Sequence, residues 1–266
     1  MTIAFAPAHS FDDGDAYERF MGRWSRAVAE PFLNWLAPMP GGAWLDVGCG
    51  TGAFTAVILD RAAPASITAI DPSPAQVAFA KGRTADPRAK FQVADALALP
   101  FADGTFDVVC AALVLNFVRD PSVALGEMRR VARPGALVAA YVWDFQRELS
   151  PSGPLRSAMR QVGLTVPAIP GTPASTVGAL TGLFAAAGLR DIVSQRIEVA
   201  SVFGGFAEYW QSQTPSYAPA TGVIDQLNEG KRRALIQVLQ DALPQAQNGA
   251  IRCVATANAI KGHASD

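Results

Sequence analysis

The chain has 266 residues, half of them hydrophobic, with 23 acidic side chains against 22 basic ones and two histidines. A net charge of −1 leaves no electrostatic footprint for nucleic acid or an anionic membrane, and three scattered cysteines with no C-x-x-C pair argue against a disulfide framework or a zinc site. The first residues lack a signal-peptide pattern and no run approaches about eighteen apolar residues, so a cytoplasmic protein of one domain spanning 1–266 is expected.

In chain order, residues 10–38, from Phe11 through Leu36, read as an amphipathic helical entry. Apolar runs then alternate with helical stretches, the pattern of a parallel sheet with crossover helices. Strands are expected near 43–47, 67–71, 90–94, 106–112 and 136–143, with helices near 52–62, 74–82 and 121–132, the last closed by Pro134-Gly135. The stretch 150–174, rich in Pro, Gly and Ser, reads as a mobile cover. A helix over Pro173–Ala187 ends at Gly188, and Asp191–Phe203 and Ile251–Ile260 are long strands able to pair as an antiparallel edge. Residues 204–247 hold two helices separated by Thr214-Pro215-Ser216-Tyr217-Ala218-Pro219. The core is thus 39–203 with 248–262, and the segments 1–38 and 204–247 are candidate lids.

The segment Trp44-Leu45-Asp46-Val47-Gly48-Cys49-Gly50-Thr51-Gly52 carries most of the functional information. An apolar strand ends in an acid, and three alternate glycines lead straight into a helix. Glycines allow φ > 0 and close approach of a ligand, and the helix N-terminus that follows favours an anionic group. The reading is a nucleotide-type cofactor site at the mouth of an α/β sheet. Continued to Ala53, the segment also fits the loose dinucleotide pattern G-x-G-x-x-G/A. The next two apolar runs end in acids as well, Asp71 and Asp95.

On these residues the chain resembles the class I S-adenosylmethionine-dependent methyltransferases, in particular the small-molecule, methyltransferase type 11-like branch with the motif D-x-G-C-G-T-G. The resemblance implies a Rossmann-like, seven-stranded, mostly parallel sheet with helices on both faces, an antiparallel edge and helical lid insertions. It implies S-adenosyl-L-methionine as cofactor, with the methionyl part at Asp46, Gly48, Gly50 and Gly52, the ribose hydroxyls at Asp71 and the adenine against Asp95. Cys49, Pro72, Gln76, Ala96 and Ala112 complete the expected cofactor-binding set. From the entry segment, Tyr17 and Arg23 match residues that fold over the cofactor in that family, the basic one near its carboxylate.

For the chemistry, Asn116 stands where family members often carry histidine, and an amide can orient a nucleophile but cannot act as a base. Asp144, at the end of the fifth strand, and Tyr17 are the other catalytic candidates, with Glu208 and Tyr209 as further acceptors of a proton. Trp143, Phe145, Phe206, Tyr209 and Trp210 could hold a small apolar acceptor. No metal ligand set and no nucleic-acid or membrane partner is expected, and the oligomeric state is left open. Two other readings stay open: a nicotinamide-dependent oxidoreductase, although no Tyr-x-x-x-Lys unit is present, and an inactive S-adenosylmethionine-binding partner subunit.

Overall fold

The computed structural model describes residues 18–216 and 218–265. Its centre is a seven-stranded sheet, β1 (Ala43–Val47), β2 (Ser66–Asp71), β3 (Ala89–Val93), β4 (Phe106–Ala112), β5 (Ala132–Trp143), β6 (Leu189–Phe203) and β7 (Ile251–Ala264), in the order β3-β2-β1-β4-β5-β7-β6. The pairings among β1 to β5 are all parallel, and β7 lies antiparallel between β5 and β6. The two long strands expected near the chain end therefore do pair antiparallel.

Helices α1 (Arg23–Leu36), α2 (Ala53–Arg61), α3 (Pro74–Arg83), α4 (Pro121–Val131), α5 (Gly153–Gln161), α6 (Val177–Ala186), α7 (Phe206–Gln213), α8 (Pro219–Asp225) and α9 (Glu229–Ala242) cover the sheet. Several begin on a side-chain cap: the Ser73 hydroxyl accepts from Gln76 N, Asp120 from Ser122 N and Val123 N, and Thr176 from Ala179 N. Prolines at the first helical positions of α3 and α4 suit an end where no N–H partner is needed. Alternation along β1 divides the core. Trp44 packs with α1, α2 and α5 on one face, whereas Leu45 and Val47 pack with α4 and α6 on the other.

Four expectations need correction. Residues 150–174 are not all loop, because α5 occupies Gly153–Gln161, and Leu155, Ala158 and Met159 on it are buried in the core. The 204–247 segment holds three helices and not two, because the stretch after the proline-bounded separator is divided into α8 and α9. The entry segment is not only a lid. A π-helical turn over Glu18–Gly22 leads into α1, whose Trp24, Val28 and Phe32 are fully buried against the sheet. The single helix expected over 173–187 is a 3-10 turn, Thr172–Ser175, followed by α6. Among the described residues no helix is long and apolar enough to cross a membrane.

Candidate functional site

Strand order reverses at β1, which has β2 on one side and β4 on the other. In open α/β sheets the crevice beyond the carboxyl ends of such strands is where ligands bind. The glycine turn lies at the end of β1, Asp71 at the end of β2, and the segment Leu113–Phe117 follows β4.

All three glycines have positive φ, 73° at Gly48, 51° at Gly50 and 79° at Gly52, but they serve different ends. A Cβ at Gly48 would overlap the Val114 side chain, and one at Gly52 would crowd Ala80 at 3.2 Å. These two let the turn pack against the segment after β4 and against α3. A Cβ at Gly50 would meet nothing within 4 Å. Gly50 therefore faces open space while its N–H donates to Asp71 Oδ2 at 2.9 Å. Asp71 Oδ1 accepts from Ser73 N at 2.9 Å, so the carboxylate ties the ends of β1 and β2 together with acceptor capacity to spare. Burial raises its pKa, against the pull of those two N–H donors.

Asp46 is completely buried beneath the turn. Thr55 Oγ1 on α2 donates to its Oδ2 at 2.6 Å, and its Oδ1 has no hydrogen-bond partner. Burial, reinforced by the charge of Asp71, pushes its pKa from 3.8 to about 7. The consequence for stability has a definite sign. Below pH about 4 the carboxyl is neutral folded or unfolded; between about 4 and 7 it ionises only in the unfolded chain. Stability should fall through that window by up to about 1.4 kcal/mol per pH unit and level off above it. Asp46→Asn keeps a carbonyl acceptor for Thr55 and cannot titrate. Urea denaturation at pH 5 and pH 8 should therefore favour the variant over wild type more at pH 8, and parallel behaviour of the two proteins would refute a neutral Asp46.

The entry turn reaches this site through a residue that the sequence did not single out. Thr51 Oγ1 donates to Glu18 Oε1 at 2.6 Å, and the same carboxylate pairs with Arg26 at 2.8 Å and Arg83 at 3.1 Å. Hydrogen bonds from Thr51, Arg26 and Arg83 outweigh the burial that works the other way, and hold the Glu18 pKa below its usual value. Arg23 is placed elsewhere. Its guanidinium pairs with Glu208 at 2.6 Å, donates to Val202 O at 3.0 Å and lies 4.5 Å from the centre of the Phe203 ring. The basic groups beside the glycine turn are therefore Arg26 and Arg83. Tyr17 lies outside the described residues.

The rest of the expected cofactor set is spread around the turn. Cys49 is buried, its thiol pushed well up chiefly by burial, which makes it a packing residue and not a nucleophile. Ala96 and Gln76 are buried, Gln76 on the first turn of α3; Pro72 is exposed and Ala112 half-buried at the end of β4. Asp95 is exposed and accepts from Leu97 N at 2.9 Å, closing the turn after β3.

Asp144 does not stand free as a base. It is buried, accepts from Arg147 N at 3.1 Å and pairs with Arg196 at 3.4 Å. Glu208 is anchored by Gly204 N and Arg23, which lower its pKa, and burial drives the Tyr209 hydroxyl far up. Trp143 and Tyr209 belong to the closed core, Trp143 edge-on to Trp24 at 6.2 Å and Tyr209 edge-on to Phe203 at 5.2 Å. Phe145, Phe206 and Trp210 are only partly buried around it. Asn116 is buried after β4, and neither atom of its amide has a partner.

Residues 45–140 match the family model described as a methyltransferase domain. Over those residues the chain is similar to class I S-adenosylmethionine-dependent methyltransferases. It is 41% identical over 106 residues to 2-methyl-6-phytyl-1,4-hydroquinone methyltransferase of Synechocystis sp., covering 40% of this chain and 33% of that one. It is 37% identical over 114 residues to a ubiquinone/menaquinone biosynthesis C-methyltransferase of Roseobacter denitrificans, covering 41% of this chain and 46% of that one. The chain thus spans less than half the length of these curated relatives. Among solved structures, a chain of the complex between the Haloferax volcanii Trm112 methyltransferase activator and a methyltransferase aligns over 100% of both chains with a TM-score of 0.60 at 17% identity, a likeness of fold. The glycine turn, Asp46 and Asp71 all fall in the matched region. An S-adenosylmethionine molecule also suits what the site offers: open space over Gly50, an orphaned carboxyl oxygen on Asp46 and unused acceptor capacity on Asp71.

Proposed function

We propose that the protein transfers a methyl group from S-adenosylmethionine to a small-molecule acceptor bound beyond the ends of β4 and β5. The observation that carries the reading is the open space over Gly50, framed by Asp46 below and Asp71 beside it. When bound, S-adenosylmethionine supplies a methyl group on a positively charged sulfur, a good leaving group for in-line displacement. The chain's own residues then bind and orient. Gly50 leaves room for the methionyl part, Asp71 accepts from the ribose hydroxyls, and the Glu18, Arg26, Arg83 and Thr51 cluster closes one end of the turn.

Positioning supplies most of the rate in such a reaction. Among the described residues, the candidate bases support an acceptor that needs little help in losing a proton: Asp144 and Glu208 are engaged, the Tyr209 hydroxyl is pushed up, and His263 lies opposite Leu137 midway along β5, away from the site. The two relatives named above act on hydroquinone or quinone precursors by their names, which favours an electron-rich ring as acceptor here.

Incubation with S-adenosylmethionine and a panel of hydroquinones, phenols and thiols should release S-adenosylhomocysteine with at least one of them. Tight S-adenosylhomocysteine binding without turnover on any acceptor would favour the inactive-subunit reading, and binding of NAD in its place would favour the oxidoreductase. Within this reading Asp71→Ala should weaken S-adenosylhomocysteine by about 1.5 to 3 kcal/mol, the worth of charge-assisted hydrogen bonds. The 2′,3′-dideoxy analogue should bind the variant and wild type nearly alike; an equal loss for both ligands would mean that Asp71 supports the turn and does not touch the ribose.

A further inference from the structure

Asn116 is 2% exposed, and neither its Nδ2 nor its Oδ1 has a hydrogen-bond partner. Buried amides in native structures are nearly always paired, and each group left unpaired costs about 1 to 3 kcal/mol. The segment around it is held tightly. Leu113, three residues before, takes a φ of 62°, and Phe117 N donates to Val114 O at 2.8 Å. From the other side Gly171, with a φ of 64°, comes so close that a Cβ there would overlap the main-chain carbonyl of Asn116.

Gly171 opens the turn Thr172–Ser175, and that turn rests on a second amide. Asn258 Nδ2 donates to Ser175 O at 2.8 Å, while Asn258, 1% exposed, leaves its own Oδ1 unpartnered. The turn is thus flanked by the Asn116 main chain and the Asn258 side chain, and the two buried side-chain amides leave three polar atoms unused. Phe117, next to Asn116 in the chain, and Phe145, two residues past β5, lie edge to face with their ring centres 6.2 Å apart. These groups stand on the β4, β5 and β7 side of the glycine turn, away from Asp71 on β2.

Resting on the methyltransferase reading above, we infer that the Asn116 amide is the acceptor-recognising group, and that the acceptor is a neutral planar molecule with a hydrogen-bond donor beside an acceptor on one edge. An amide presents its N–H and C=O side by side in a plane, so a lactam or a hydroxy-carbonyl compound satisfies both at once, as asparagine does with the adenine edge in DNA. A carboxylate would satisfy Nδ2 and set oxygen against Oδ1, and a plain hydrocarbon would satisfy neither. The flanking phenylalanine rings suit a flat partner.

The test uses the full chain loaded with S-adenosylhomocysteine, with 2-quinolone as the probe and N-methyl-2-quinolone, in which the donor is blocked, as its control. Calorimetry should show 2-quinolone binding wild type about tenfold or more tighter than Asn116→Leu, with the control bound weakly and equally by both. S-adenosylhomocysteine affinity should be the same in the two proteins. The ligand-free variant should melt no lower than wild type, since leucine removes two unpaired buried groups; a purely structural asparagine would instead make the variant less stable. The inference is overturned if 2-quinolone binds both proteins alike, if the control binds wild type as well as the parent, or if the loaded protein takes no quinolone. Failure of S-adenosylhomocysteine itself to bind is a separate result, and it removes the methyltransferase reading along with this one.

Discussion

Gly50→Val is expected to leave a folded protein that no longer binds S-adenosylhomocysteine. Gly50 has a φ of 51° and nothing within 4 Å of the place a Cβ would take, so a branched side chain there enters only the space that a ligand would use. The left-handed conformation costs a non-glycine residue roughly 1 to 2 kcal/mol. That is small beside a typical folding stability of about 5 to 15 kcal/mol. Calorimetry should detect no binding while circular dichroism and the melting transition stay close to wild type. Undiminished affinity in a folded variant would place the cofactor away from this turn.

Deleting residues 1–30 is expected to unfold the protein, a larger effect on stability than any single substitution above. The deletion removes Trp24, Val28 and Ala29, all fully buried, and strips the helix that packs on α2 and β6. Removing one large core side chain costs about 3 to 5 kcal/mol, and here several go together with the backbone that carries them. Phe32→Ala measures the same helix without truncation and should lose an amount in that range in urea denaturation. Recovery of a folded truncated protein with a native melting transition would make the entry helix a true lid.

That helix also marks a limit of what the residues alone convey. An amphipathic pattern states that one face is buried and not against what, so a cover over a cofactor and a wall of the core read alike. Strands β1 to β4 were legible nearly to the residue because their apolar runs are short and start after polar or turn residues, and β1 to β3 stop at or within two residues of a glycine or aspartate. Helix α5 was not, since Gly153-Pro154 reads as loop punctuation although proline is well placed in a first helical turn. That Asp46, Gly50 and Asp71 come together at the strand ends was evident from their spacing along a strand and a turn. Glu18 was not, because its partner Thr51 lies 33 residues away and only tertiary packing joins them. The expected partner of the cofactor carboxylate, Arg23, is drawn instead to Glu208, a contact across 185 residues with no local signal.

The position of β7 bears on how the molecule assembles. It is the last described strand in the chain, yet it lies inside the sheet, paired to β5 on one edge and β6 on the other. Until it docks, β5 presents an open edge and β6 has no neighbour at all. Pairings between segments so distant in sequence form slowly, and an open edge with hydrophobic strands is a template for wrong partners in the meantime. During synthesis the domain can therefore prepare β1 to β5 early but cannot seal its sheet until β7 has emerged, and interruption before that point exposes the middle of the sheet and not its margin.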